Sequence, residues 1–207
     1  MSAPATSETL TQQTGLKPGP GEALLVVDVQ NDFLPGGKQA VRGGNDLIPV
    51  LNRLIAAFER LGLPIYASRD WHPSDHCSFR TEGGPWPPHC IAGLRGAEPP
   101  AALRLPGETH IIYKGTSAYA DAYSAFQATG LGVELRRSGC RRVFIGGLAT
   151  DYCVRATALD ALRNGLDAFV FENAVRAVDI HDGDGARALE ELRAAGVMLG
   201  NSDSLTS

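Results

Sequence analysis

The feature that most constrains the fold is the stretch 144–162, where a buried strand turns directly into a helix. Residues 144–148 (FIGGL) are a short apolar run that contains two glycines, which is typical of a buried strand. Thr150 or Asp151 stands where it can cap a following helix. Apolar side chains then recur at helical spacing, at Ala156, Ala158, Leu159, Ala161 and Leu162. The pattern therefore predicts a strand, a tight turn and a helix whose first turn contains Cys153.

The position of Cys153 makes it a candidate nucleophile. A helix N-terminus presents free N–H groups and partial positive charge, which favour a thiolate. A thiolate in such a place can attack a carbonyl carbon. The alternative is a buried apolar cysteine, which is the usual state of a free cysteine in a protein core. The argument for the nucleophile rests on position rather than on residue type.

Further apolar runs alternate with helical patterns along the chain. The predicted strands are residues 23–29, 64–70, 110–114, 142–148, 168–171 and 197–199, and the predicted helices are residues 46–61, 132–137, 153–164 and 184–195. Alternation of this kind predicts an α/β fold with three layers, in which a mostly parallel six-stranded sheet has helices on both faces. Residues 1–21 are polar and lack periodicity, so we expect a flexible tail followed by one domain over residues 22–207.

Composition and charge narrow the class of protein. The chain has 207 residues, 43% of them hydrophobic and 20% charged, and a net charge of -4 with no basic block, so we expect neither a nucleic-acid nor a membrane partner. No apolar run approaches the roughly 20 residues that span a bilayer, and no signal-peptide pattern is present. We therefore expect a cytoplasmic protein whose four cysteines are thiols or metal ligands.

Four chemically reactive side chains fall at the carboxyl ends of predicted strands. Asp28, Asp70 and Lys114 lie at or near the ends of the first three, and Cys153 follows the fourth. In parallel α/β sheets ligands bind at this edge. Asp28 can accept the Cys153 proton, Lys114 can lower the thiol pKa, and the backbone N–H of Cys153 with one from the preceding turn can receive an oxyanion. A structural ion pair between Asp28 and Lys114 is the alternative.

A second group of polar residues lies in the segment 71–100, which has no periodicity. Asp70 and His72 point to the same side of an extended chain, and His76 and His89 follow within the same segment. Carboxylate and imidazole ligands suit zinc, iron or manganese. Two alternatives remain: surface histidines in a proline-rich loop, or a closed structural metal site that uses Cys77 and Cys90 beside His76 and His89.

Six ordered motifs resemble those of the isochorismatase-like cysteine hydrolases, and within them the nicotinamidases. The matching pieces are residues 28–33 (DVQNDF), 69–73 (RDWHP), 86–90 (WPPHC), 114–116 (KGT), 123–126 (YSAF) and 147–154 (GLATDYCV), and they span nearly the whole predicted domain. The resemblance implies the hydrolysis of nicotinamide to nicotinate and ammonia through a thioester, in NAD salvage. It also implies that pyrazinamide is a substrate. Small-molecule enzymes of such folds often form homodimers or higher homo-oligomers, and we expect the same here.

The resemblance also implies roles for individual residues. It implies a catalytic triad of Cys153, Asp28 and Lys114, and oxyanion donors from Ala149 and Cys153 next to a cis peptide bond between Leu148 and Ala149. It implies one divalent metal ion, zinc or else iron or manganese. The expected metal ligands are Asp70, His72 and His89, with His76 as a fourth ligand in some members, and the expected ring contacts are Phe33, Trp86, Tyr123 and Tyr152.

Two departures and two other functions stand beside this interpretation, and one of the departures is the loop from Lys114 to Tyr123, which varies in length across the family. Tyr152 occupies a position where several members have histidine, which can alter the ring contacts. A related amidase acting on carbamoyl or ureido compounds would use the same triad but lacks the Asp-x-His and Trp-Pro-Pro-His motifs. A non-catalytic metal-binding protein of the same fold is disfavoured by the intact Asp28, Lys114 and Cys153.

Overall fold

The computed structural model describes residues 17–205, which contain one six-stranded sheet with the order β3-β2-β1-β4-β5-β6. The strands are β1 Glu22–Val27, β2 Ile65–Asp70, β3 His110–Lys114, β4 Arg142–Leu148, β5 Asp167–Arg176 and β6 Met198–Gly200. The helices are α1 Leu47–Arg60, α2 Leu131–Arg137, α3 Arg155–Arg163 and α4 Asp184–Ala194. Most of the predicted tail, residues 1–16, lies outside the described residues, and its boundary stays a prediction.

All neighbouring strands of the sheet run parallel, so their carboxyl ends share one edge. The central strand β1 is covered on both faces, which explains its unbroken apolar sequence. In the register of the sheet Asp70 lies opposite Lys114, and Val27 lies opposite both Ser68 and Gly147. The chain segments that leave β1, β2, β3 and β4 therefore converge at one place.

Helices cover both faces of the sheet. Helix α1 packs on one face, where its Phe58 ring lies 5.5 Å from the ring of Phe144 in β4. Helices α2, α3 and α4 pack on the other face through apolar side chains that include Leu135, Ala158 and Leu192. The predicted three-layer α/β architecture is confirmed, and the sheet is parallel throughout.

Most element ends differ from the prediction by one or two residues, and the end of β5 differs by five. Helix α1 follows a short 3-10 turn at Gly44–Asp46, and Asp46 occupies the N-cap position, as predicted, although its side chain makes no capping hydrogen bond. Strand β5 continues to Arg176, beyond its predicted end at Phe171, because Ala174 and Val175 are again buried.

Two further findings hold for all of residues 17–205. All four cysteines are free thiols, as expected. Among residues 17–205, no helix has the length and apolar character needed to cross a bilayer.

Candidate active site

The turn after β4 carries Cys153 and is not the regular α-helical start that the sequence predicts. Residues Thr150–Val154 form a π-helical turn before α3, and the peptide bond between Leu148 and Ala149 is cis, as the resemblance implies. The predicted cap by Thr150 or Asp151 is wrong, because this turn has no side-chain capping hydrogen bond. The Asp151 carboxylate instead accepts hydrogen bonds from the backbone N–H groups of Val178 and Asp179, both at 3.0 Å.

Lys114 lies at the centre of the convergent edge. Its ammonium nitrogen is 2.9 Å from Asp28 Oδ2, 2.5 Å from Asp70 Oδ1 and 3.4 Å from Cys153 Sγ, and it donates to the Ala122 carbonyl at 3.0 Å. The side chain is fully buried. Because a buried ammonium needs compensating charge, the two carboxylates and Lys114 hold one another in place. The predicted triad residues are therefore in contact.

Asp28 adopts a conformation that is rare for a residue with a side chain. Its φ of 47° lies in the left-handed region, where the chain turns sharply after β1. Ser68 at the end of β2 donates a hydrogen bond from Oγ to Asp28 Oδ1 at 2.7 Å. Strain of this kind is concentrated at functional sites. Here the strained residue is Asp28, whose fully buried carboxylate lies within reach of the Cys153 thiol.

The electrostatics of the triad differ from the expectation of a low thiol pKa. Burial raises the pKa of the Cys153 thiol well above its usual value; Lys114 opposes this, and Asp28 and Asp70 add to it. Burial also raises the pKa of Asp28, against the attraction of Lys114. Although burial opposes it, the pKa of Lys114 rises well above normal because both carboxylates face it. The resting thiol is thus protonated beside a carboxylate that can accept its proton.

A second cluster, formed by Asp70, His72 and His89, has its ligand atoms within 4.8 Å of one another. His72 Nδ1 lies 2.8 Å from the Gly115 carbonyl, and His89 Nδ1 lies 2.8 Å from the Pro87 carbonyl. A carbonyl only accepts, so in the neutral ring of each histidine Nδ1 carries the proton and Nε2 keeps its lone pair. Two lone pairs and a carboxylate, fixed by backbone contacts, are what a divalent cation requires.

His76 is bound differently from the other two histidines. Its ring stacks on His72 with centroids 4.0 Å apart, but its Nδ1 accepts the Ser78 backbone N–H at 3.3 Å. That hydrogen bond leaves the ring proton of neutral His76 on Nε2, which is buried without a hydrogen-bond partner among the described residues. His76 is therefore less suited to ligate a cation than His72 or His89, and its role as a fourth ligand stays a prediction.

Two other arrangements of possible metal ligands are less suitable. Asp28, Asp70 and Cys153 also lie within 4.8 Å of one another, but the Lys114 ammonium occupies the space between them. Among residues 17–205, no compact ligand group contains Cys77 or Cys90. The closed structural site considered from the sequence therefore does not form.

Both clusters open into one cavity. The four predicted ring contacts line it together with Asp70, His72, His89, Ala149 and Cys153. Trp86 Nε1 donates to the Tyr123 hydroxyl at 3.0 Å, and Tyr152 packs against both rings, with centroids 5.1 Å and 5.6 Å away. The Phe33 ring lies 5.5 Å from that of His89. A flat aromatic molecule suits such a cavity.

Backbone contacts hold the loops that form the cavity. The Gln30 side chain donates to the Asp70 carbonyl at 2.8 Å and accepts the Asp70 N–H at 2.9 Å. The Asp32 carboxylate accepts the Cys90 N–H at 2.8 Å, next to His89. Gln30 and Asp32 thus fix two of the three predicted metal ligands from the first loop of the chain.

Several residues of the cavity wall were not singled out from the sequence. They are Gln39, Ser78, Asp121, Ala122 and Val178. Each of them lies in a loop. In a loop sequence, a polar or small residue of a cavity wall looks the same as one that is exposed to solvent. The one available signal in the sequence is proximity to a recognised motif: Gln39 is close to the DVQNDF motif, and Asp121 and Ala122 are close to Tyr123.

Comparisons with known proteins agree with this geometry. Residues 22–204 match the Isochorismatase domain. The chain is 40% identical over 197 residues to a nicotinamidase of Acinetobacter baylyi, covering 84% of this chain and 90% of that protein. It is also similar to the crystal structure of pyrazinamidase of Pyrococcus horikoshii in complex with zinc, with a TM-score of 0.84 and 46% identity, covering 88% of this chain and 99% of that one.

A further solved structure, PnC1 from L. infantum in complex with nicotinate, has a TM-score of 0.85 and 40% identity, covering 92% of this chain and 98% of that one. The identity to these relatives extends over most of both chains, as does the match to the domain. The chain therefore belongs to the isochorismatase domain family, and within it to the nicotinamidase hydrolases.

Proposed function

We propose that the protein hydrolyses nicotinamide to nicotinate and ammonia, and that it accepts pyrazinamide. One observation supports this most: Cys153, Asp28 and Lys114 are in contact, and Cys153 lines an aromatic cavity together with Asp70, His72 and His89. The similarity to nicotinamidases and to a pyrazinamidase supports the same substrates. Release of nicotinate would place the enzyme in NAD salvage.

Asp28 carries the proton in the proposed mechanism. It accepts the Cys153 proton, and the thiolate sulfur attacks the amide carbon. The backbone N–H groups of Ala149 and Cys153 receive the oxyanion of the tetrahedral intermediate. Asp28 then gives the proton to the departing nitrogen, which leaves as ammonia, and a thioester to Cys153 remains. A water molecule deprotonated by Asp28 attacks this thioester, nicotinate leaves, and the proton returns to the sulfur.

Lys114 supports this cycle electrostatically. Its ammonium contacts Asp28 and Cys153 and stabilises the negative charge as it passes between them. Its pKa is raised well above normal by the facing carboxylates, so it stays charged through the cycle. Lys114 is thus a permanent charge rather than a proton carrier.

Asp70, His72 and His89 fit a divalent metal ion, which we propose to be zinc. Their ligand atoms lie together, and both imidazoles present Nε2 lone pairs. When bound, the ion supplies a Lewis-acidic position for the pyridine nitrogen, which orients the ring. Phe33, Trp86, Tyr123 and Tyr152 then enclose the ring. This metal cluster disfavours an amidase for carbamoyl or ureido compounds, which needs no ring-nitrogen site.

Ammonia release from nicotinamide tests the proposal. Cys153→Ala removes the nucleophile, and we expect kcat to fall at least about a thousandfold while bound metal stays the same. Cys140→Ala is the matched control, because this buried thiol lies outside the cavity and contacts the Arg142 carbonyl. Ammonia release at the parental rate by the Cys153→Ala protein would refute the mechanism. Activity lost on treatment with a chelator should return on adding zinc.

A further inference from the structure

The cavity wall contains a carboxylate that the proposed mechanism does not use. Asp121 lines the cavity from the loop between β3 and α2. Its Oδ1 accepts the Ala122 backbone N–H at 2.8 Å, and its carbonyl accepts a hydrogen bond from the Gln127 side chain at 3.0 Å. Asp121 is half-buried, so its negative charge lies beside the cavity rather than in bulk solvent.

The charge of Asp121 acts on an aromatic side chain of the same wall. Burial raises the pKa of Tyr123 to about 12; the hydrogen bond from Trp86 lowers it, and the negative charge of Asp121 raises it. Tyr123 itself lines the cavity. A charge that reaches this side chain also acts on a molecule bound beside it, because Coulomb interactions act through space and need no direct contact.

Asp121 is also close to the reacting sulfur. The carbonyl of the next residue, Ala122, accepts a hydrogen bond from the Lys114 ammonium at 3.0 Å, and that ammonium lies 3.4 Å from Cys153 Sγ. The carboxylate of Asp121 is thus linked to the ammonium of the triad through a single residue. Its charge therefore acts on a group that is bound at Cys153.

The protein provides no cation that neutralises this carboxylate. The Lys114 ammonium is held by the carboxylates of Asp28 and Asp70, and among residues 17–205 no lysine, arginine or histidine forms an ion pair with Asp121. Like charges repel each other more strongly in a partly buried cavity than in water. The charge of Asp121 thus opposes the binding of an anion in the cavity.

The substrate and the product of the proposed reaction differ in charge. Nicotinamide is neutral, whereas nicotinate carries a carboxylate at the same ring position. We propose that Asp121 is a specificity-determining residue that disfavours binding of the carboxylate product relative to the carboxamide substrate, and so promotes product release. This inference rests on the proposed function, because it uses the same cavity and the same placement of the amide at Cys153.

The test compares the dissociation constants of nicotinate and nicotinamide for the Cys153→Ala protein with zinc bound. The two molecules share the pyridine ring and its nitrogen, so contacts with the ring contribute similarly to both. Asp121→Asn keeps an oxygen for the Ala122 N–H but removes the charge. Adding it should make nicotinate bind about fivefold to tenfold more tightly relative to nicotinamide. In the enzyme that retains Cys153, Asp121→Asn should lower the inhibition constant of nicotinate by the same factor relative to the KM of nicotinamide.

A matched charge removal completes the experiment. Asp75→Asn removes an exposed carboxylate from the segment 71–100 and should keep the parental ratio of the two dissociation constants. A ratio that Asp121→Asn leaves unchanged, or that Asp75→Asn changes equally, overturns the inference while nicotinamide hydrolysis stands. A parent that neither binds nor hydrolyses nicotinamide overturns the proposed function instead.

Discussion

Lys114 is the residue that joins the two halves of the site. Its ammonium lies between Asp28 of the triad and Asp70 of the metal cluster. Because each carboxylate is buried, removal of the ammonium would leave two like charges facing each other. The triad and the metal cluster are therefore one electrostatic unit.

The hydrogen bond from Ser68 lowers the pKa of Asp28, and its removal should shift the pH dependence of the reaction. Burial raises the pKa of Asp28, and the hydrogen bond from Ser68 lowers it. Ser68→Ala removes that bond, so the pKa rises further. Since Asp28 must be ionised to accept the thiol proton, activity is lost as the pH falls through this pKa. The acid limb of kcat/KM should therefore move to higher pH.

Ser138→Ala is the control for this prediction, since the Ser138 hydroxyl donates to the Leu135 carbonyl at the end of α2. Its profile should coincide with that of the parent. An acid limb that Ser68→Ala leaves in place, or moves to lower pH, would contradict the assignment of Asp28 as the base.

At the scale of elements, the end of β3 shapes the metal cluster. Gly115 directly follows Lys114, has a φ of +60°, and accepts a hydrogen bond from His72 through its carbonyl. A Cβ at Gly115 would overlap the His72 ring. The close approach of this backbone to His72 therefore depends on glycine.

Gly115→Ala should weaken metal binding by about tenfold to a hundredfold, because it displaces His72. Bound zinc, titrated by competition with a chelator, is the measurement. Gly93→Ala provides a control with the same backbone cost, since Gly93 has a φ of +76° and no atom within 4 Å of an added Cβ. Equal zinc affinity in the two variants would show that crowding of His72 is not what matters.

The strands and helices could be predicted from the sequence wherever a periodic pattern of apolar residues marks them. The six strands and four helices follow from apolar runs such as residues 23–29, and the fold follows from their alternation. The π-helical turn at Thr150–Val154 has no periodic signal, and Asp151 resembles a helix cap although it binds a distant segment. The high thiol pKa of Cys153 escaped prediction because it depends on burial and on two carboxylates brought from other strands.

At the scale of the whole molecule, one aromatic cluster lies apart from the candidate active site. The aromatic cluster on the α1 face of the sheet joins Phe144 to Phe58, Phe169 and Phe171, with ring centroids 5.4 to 5.7 Å apart. None of these rings lines the candidate active-site cavity.

The expected assembly into a homodimer or a higher homo-oligomer stays a prediction.

Phe144→Ala should lower the free energy of unfolding by about 3 to 5 kcal/mol, because it leaves a cavity between α1 and the sheet. Urea unfolding with saturating zinc measures this loss. Tyr119→Ala, at a residue with 92% exposure, should change stability by less than about 0.5 kcal/mol. A loss below about 1 kcal/mol for Phe144→Ala would mean that this cluster is not central to the core.

The contact of Asp151 with the N–H groups of Val178 and Asp179 also bears on when the enzyme becomes competent during translation. All three groups of the triad have been synthesised once the ribosome passes Cys153. The two amides that brace the turn beside the sulfur are synthesised only after β5. A nascent chain that stops at β5 thus carries every reactive group without the two amides that bind Asp151, and we expect no catalysis until most of the polypeptide has emerged.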